Sequence, residues 1–236
     1  MIISFFEEFP TKENLEKLSL INFPTKLYLA STSIKEFKRL KSSIKSKFVK
    51  EVIYWPILKK SEGYWFSPFS SKKAIKKTLE EIKDTKTMID LEMPYYRYHI
   101  ITKLYKIFNN RKILNSLLKK ENIIPCEHFL DNNLMSILSL NYPKNNKIKM
   151  IYTSHLRFSR KKIEGIIRNL SKRYSDLKVG LGIIAHGIEK GKIKTLSPEE
   201  LWKDLELCKK YKIKEIIIFR LSGLNKEYVK IIHNFV

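Results

Sequence analysis

Cysteine is almost absent from this chain, with only Cys126 and Cys208 among 236 residues. Two cysteines cannot build a disulfide framework, and neither sits at metal-site spacing. A reduced, cytoplasmic protein is therefore expected. Glycine is sparse at seven residues, and no stretch rich in Gly, Ser and Pro interrupts the chain as a linker would. One domain over residues 1–236 is the economical expectation. Uninterrupted apolar runs stay well short of about 18 residues, so no membrane span is expected. The start, Met1-Ile2-Ile3-Ser4-Phe5-Phe6-Glu7-Glu8, lacks a basic leader and carries acids where a signal peptide stays apolar.

Acidic residues are also in deficit, 24 against 47 basic ones, leaving a formal charge of +23. Such a charge concentrates phosphates near the surface and invites a nucleic-acid partner. The kind of base argues the other way. Only eight of the basic residues are arginine, the fork that base-edge and phosphate recognition favours. Lysines fall at helix positions facing solvent, as in Lys35-Glu36-Phe37-Lys38-Arg39-Leu40-Lys41. A solvated surface is the favoured reading over a nucleic-acid footprint. The densest basic cluster is Arg157, Arg160, Lys161 and Lys162, with Arg168 and Arg173 further on.

What is present is a repeat of pattern, without an internal repeat of sequence. Eight short apolar runs recur at intervals of about 30 residues, each followed by a lysine-rich stretch of helical character. They are Ile2–Phe6, Lys26–Ala30, Glu51–Leu58, Thr87–Glu92, Asn122–Glu127, Lys147–Tyr152, Lys178–Ile184 and Glu215–Leu221. Strands alternating with helices imply parallel pairing through crossovers. Eight units in a chain of this length predict an α/β fold, a single (β/α)8 TIM barrel with eight parallel strands. Helix starts fix the phase. Ser33-Ile34-Lys35-Glu36 reads as a capping box, and Ser197-Pro198-Glu199-Glu200 as a stronger one with proline at the first helical position. Ser70 or Ser71 should cap the third helix and Asn225 the last, while Tyr98–Lys120 is long enough for two helices.

A parallel barrel presents its chemistry where strands end. Side chains at i and i+2 share a strand face, so Asp90 and Glu92 project together from the fourth strand. Two inward acids are costly unless wet, paired or functional, and each raises the other's pKa, which suits a proton donor. Other strand ends offer Glu7 and Glu8, Glu127 and His128, Tyr152 with Ser154 and His155, His186, and Phe219 with Arg220. After the third strand, Trp55, Tyr64 and Trp65 form an aromatic group of the kind that stacks on sugar rings or bases.

Together, Asp90-Leu91-Glu92, Met150-Ile151-Tyr152, Gly182-Ile183-Ile184-Ala185-His186-Gly187 and Phe219 resemble the motifs of the family-18 glycoside hydrolases, the chitinases and endo-β-N-acetylglucosaminidases. The order and strand positions agree over more than half the chain. Thr87 and Met88 stand where that family carries a further acid, Thr153 where it carries aspartate, and Phe219 where it carries tryptophan. The resemblance implies a carbohydrate ligand containing N-acetylhexosamine and a substrate-assisted retaining mechanism, without metal or cofactor. In that scheme Glu92 is the proton donor, Asp90 orients the acetamido group, and Tyr152 donates a hydrogen bond to its carbonyl. Trp55, Tyr64, Trp65 and Phe219 would contact sugar faces, with Glu127, His155, His186 and Arg220 as polar contacts. Two alternatives use the same strand ends. In one, Glu92, Glu127, His128, His155 and His186 ligate divalent ions, as in barrels similar to sugar isomerases or endonuclease-IV-type repair enzymes. In the other, the barrel binds a glycan, a lipid-linked sugar or a protein without turnover.

Overall fold

The computed structural model describes residues 1–94, 99–130, 132–154, 156, 158–188 and 194–236, with the backbone alone at 99–103. Eight parallel strands close into a barrel in sequence order, the eighth pairing with the first. They are β1 (Ile2–Glu7), β2 (Thr25–Ser31), β3 (Val49–Pro56), β4 (Thr87–Leu91), β5 (Ile123–His128), β6 (Lys147–Met150), β7 (Leu177–Gly182) and β8 (Glu215–Phe219). The chain is a single (β/α)8 TIM barrel, as the eightfold pattern predicts. Strand ends move by at most two residues from the apolar runs, because hydrogen bonding rather than hydrophobicity ends a ladder.

Two apolar layers follow from the period-2 alternation of strand side chains. One face of each strand turns to the helices, contributing Ile3, Phe5, Leu27, Leu29, Ile89, Leu91, Val179 and Ile216 to the outer core. The other fills the lumen, with Phe6, Tyr28, Ile53, Met88, Ile124, Cys126, Ile148 and Ile217 in mutual contact. Below them, at the end where the strands begin, the lumen is closed by polar groups. Glu215 accepts hydrogen bonds from Ser4 Oγ at 2.8 Å and Tyr28 Oη at 3.0 Å, and pairs with Lys26 Nζ at 2.9 Å. With that end plugged, the open end is the one where the strands finish.

Crossover helices supply the outer wall: α1 (Lys12–Glu16), α2 (Ile34–Ser43), α3 (Lys72–Glu81), α4 (His99–Leu118), α5 (Asn133–Ile137), α6 (Arg160–Arg173), α7 (Pro198–Lys210) and α8 (Lys226–Ile232). Ser197 caps α7 with a full capping box, and Asn225 caps α8 through two backbone amides. Ser33 caps α2, but Glu36 reaches past it to the Thr32 amide at 2.8 Å, so that box is offset by one residue. Ser71 occupies the cap position of α3 without a side-chain bond. Among the described residues of Tyr98–Lys120 there is one helix, not two: α4 runs 20 residues from His99. It buries Ile107, Leu114, Leu117 and Leu118 while leaving Tyr105 and Phe108 in solvent. α5, in contrast, is a five-residue helix, too short to cover the outer faces of β5 and β6. Within the basic cluster, Arg160 is engaged with Asp204 and the Lys203 carbonyl; Arg157 lies outside the described residues.

Candidate active site

A cavity of about 400 Å³ opens at the C-terminal ends of the strands, within the size range of small-molecule sites. Its floor is the top of the lumen core: Phe6 from β1, Met88 from β4, Cys126 from β5 and Met150 from β6. The next inward positions along β1 and β4 carry acid. Glu8, Asp90 and Glu92 all line the cavity, Glu8 and Glu92 each standing one residue past the strand that aims them.

Asp90 is 2% exposed, and its Oδ1 has no hydrogen-bond partner. Burial pushes its carboxyl well above the ordinary value of 3.8, and the nearby charge of Glu8 pushes it further. The Trp55 indole N–H is close enough to draw the carboxyl down. It nevertheless stops short of hydrogen-bond geometry, so Trp55 Nε1 is also unpartnered. Because a buried acceptor without a partner costs free energy, Asp90 and Trp55 present two unmet polar atoms to whatever enters.

Glu8 is held from two sides. Tyr64 Oη donates to Oε1 at 2.6 Å and the Ile188 amide donates to Oε2 at 3.0 Å. Burial raises its pKa against those two bonds. The β7–α7 segment approaches closely here. A Cβ at Gly187 would run into Glu8 Oε2 and come within 2.8 Å of the Phe219 ring, so only glycine fits. Glu8 is one acid among several strand ends in the sequence, and its place beside Asp90 requires the pairing of β1 through β2 and β3 to β4.

Tyr152 stands two residues past β6, its ring 5.6 Å from that of Phe219. Burial raises its phenol far above 10, helped by the charges of Cys126, Glu92, Asp90 and Glu8. It therefore stays an O–H donor. Phe219 in turn lies 6.2 Å from Phe6, which packs edge-on to Trp55 at 5.6 Å. Trp55 and Trp65 are 3% and 5% exposed. They form the walls of the cavity, not a platform raised above its mouth. His128 and His186 line the rim from exposed positions, and His155 lies outside the described residues.

Three of the sequence candidates are placed elsewhere. Glu127 has the outward parity of β5, opposite Cys126 and His128, and is fully buried against Lys147 Nζ and Lys149 Nζ, each 2.8 Å away. Its Oε1 accepts the Tyr142 amide at 2.8 Å. The expectation that it contacts ligand is corrected: it pairs with two lysines beneath the short α5. Arg220 also turns away from the cavity. It pairs with Glu7 at 2.7 Å and donates from Nε to the His186 carbonyl at 2.9 Å, tying the β1, β7 and β8 ends together. Tyr64 reaches the site only through Glu8. With Glu127 so committed, no group of three or more His, Cys, Asp and Glu able to hold a metal ion occurs among the described residues.

The buried acid at Asp90 has a signature in stability. Its raised pKa means that the protonated form is favoured by folding, so its contribution is complete below about pH 4. That contribution fades as pH climbs from there towards the folded value. Asp90→Asn should therefore gain on the wild type as pH rises from 4 to 8. The expected gain is about 1–3 kcal/mol at the upper end, at roughly 2–4 °C of Tm per kcal/mol for this chain length. A Tm difference independent of pH would show that the carboxyl is held ionised.

Fold and cavity define a class: a (β/α)8 barrel with carboxylates from β1 and β4 gathered beside a tyrosine at its open end. Among solved structures, the chain is similar to the spore cortex-lytic enzyme SleL of Bacillus megaterium QM B1551. The TM-score is 0.54 at 8% identity, covering 99% of this chain and 73% of that one. It is also similar to the catalytic domain of a hyperthermophilic chitinase from Pyrococcus furiosus, with TM-score 0.49 and 10% identity over 99% and 95% of the two chains. At such identities the likeness is one of fold. No family model matches the sequence, and no curated protein does.

Proposed function

We propose that the cavity is a glycosidase site that accepts an N-acetylhexosamine-containing glycan and cleaves it by substrate-assisted acid catalysis. The observation that supports this most is the projection of Asp90 and Glu92 from one strand end into the cavity that Tyr152 also lines. Glu92 gives its proton to the glycosidic oxygen as the bond from that oxygen to the anomeric carbon breaks. The substrate's own acetamido oxygen forms the new bond to the anomeric carbon, so no protein nucleophile is needed. Tyr152, kept protonated, donates to the acetamido carbonyl. Asp90 Oδ1, unpartnered in the free protein, accepts the acetamido N–H and fixes the group for attack. Water then opens the oxazolinium at the anomeric carbon, returning a proton to Glu92. Trp55, Trp65 and Phe219 supply the apolar surface for the sugar ring.

The test is turnover of 4-nitrophenyl N-acetyl-β-glucosaminide and of chito-oligosaccharides by purified protein, with and without a chelator. Turnover should be insensitive to the chelator. Tyr152→Phe should lower kcat by about 100-fold, the scale of loss when an attacking atom is misplaced by about 1 Å. Loss of activity on chelation, or a wild-type rate in Tyr152→Phe, would overturn the scheme.

A further inference from the structure

The cavity has two unlike ends. The acids and the aromatic group lie towards β1, β3, β4 and β8. Beyond Glu92 and Tyr152, the described residues on the side over β4–β6 are Met93, Pro94, Phe129, Met135, Leu140 and Leu156, with His128 at the exposed rim. Among the described residues, a glycan that continued along these six would meet no side-chain partner for its hydroxyls short of His128, and each hydroxyl is costly to strip of water. The apolar character also extends beyond the cavity. Met135 belongs to α5, and Leu134 and Ile137 of the same helix are 56% and 66% exposed. Among the described residues, the large hydrophobic side chains more than half exposed are these two and Tyr105 and Phe108 of α4. Scattered apolar residues on a surface need no explanation, but confinement to two successive helices, one of which gives Met135 to the cavity, does.

Resting on the glycosidase reading above, we infer that the substrate is an amphiphile: an N-acetylhexosamine whose aglycone is a long hydrocarbon chain, as in a lipid-linked sugar. Polarity is matched from end to end. The sugar meets Asp90, Glu92 and Tyr152, while the uncharged chain leaves along Met93, Met135, Leu140 and Leu156 towards the exposed face of α5. Glu92 sits between the two ends, where the glycosidic oxygen joining sugar to chain must lie.

Binding of alkyl N-acetyl-β-glucosaminides, measured by isothermal titration below their micellar concentrations, tests this without requiring catalysis. Each buried methylene contributes about 0.8 kcal/mol, roughly fourfold in Kd. Lengthening the aglycone from methyl to octyl should therefore tighten binding by at least about 100-fold, even with only half the chain buried. Met93→Asp with Leu156→Asp, both at half-buried positions, should erase that gain and bring the ratio of the methyl to the octyl Kd to about one. Equal Kd values for methyl and octyl, or tighter binding of chitotetraose than of the octyl glycoside, would overturn the inference while leaving the glycosidase reading intact. Octane-1,2-diol binding as tightly as the octyl glycoside would mean that no sugar is recognised, and would bring down both.

Discussion

Glu92→Gln should reduce kcat on a chito-oligosaccharide by at least about 1,000-fold with little change in Tm, a barrier increase of roughly 4 kcal/mol. The substitution keeps volume and hydrogen-bonding capacity but removes the proton that the leaving oxygen must receive. Glu92 lies past the end of β4 and is half-buried, so an amide there disturbs no packed core. The size of the loss should depend on the leaving group. A 4-nitrophenolate departs with little help, so the aryl glycoside should lose far less than the alcohol-leaving oligosaccharide, because general acid catalysis follows the basicity of the oxygen being protonated. Equal losses on both substrates would place the effect of Glu92 in binding or in the shared opening of the oxazolinium by water, and undiminished turnover would remove it from the reaction. Exogenous acids too bulky for the cavity should not restore the rate.

The barrel was legible because its signals are local and repeated: eight apolar runs, helix caps at Ser197 and Asn225, and lysine on the solvent faces. The inward aim of Asp90 and Glu92 was legible for the same reason, since parity along one strand decides it. The same parity rule sets the direction of Glu127. Cys126 and His128 share the inward face of β5, so the residue between them must face the helices, and the alternation in the sequence already carried that information. The fate of Arg220 could not be found in this way. Its partner Glu7 is 213 residues distant, and the two meet only because β8 closes on β1. Glu8 is similar: a strand-end acid in the sequence, it becomes the neighbour of Asp90 and the acceptor of Tyr64 only once β1 is joined through β2 and β3 to β4 and Gly187 approaches. The apolar side of the cavity draws on Met93, Phe129, Met135, Leu140 and Leu156, residues from separate loops with no shared motif, and so had no signature along the chain.

Glu127→Ala should cost the fold about 3–5 kcal/mol, the usual penalty for removing one partner from a buried ion pair. For a chain of this length that is a fall in Tm of about 10 °C or more. Lys147 and Lys149 have fully buried side chains on β6, where an ammonium without its counter-charge is strongly disfavoured. Lys147 also donates to the Tyr142 carbonyl and lies 4.5 Å from the Tyr174 ring centroid, while Lys149 reaches the His128 carbonyl at 3.2 Å. Those contacts orient the lysines but cannot neutralise them. Replacing all three charges, as Glu127→Leu with Lys147→Met and Lys149→Met, should recover most of the loss, because well-packed apolar groups often substitute for a buried ionic cluster at no net cost. The cluster stands where α5 is too short to cover β5 and β6 with hydrocarbon, and the lysine stems do that covering instead. Turnover per folded molecule should be unaffected in both variants, since Glu127 faces away from the cavity. A Tm equal to the wild type in Glu127→Ala, together with weakened ligand binding, would instead return this residue to the site and require β5 to present its opposite face.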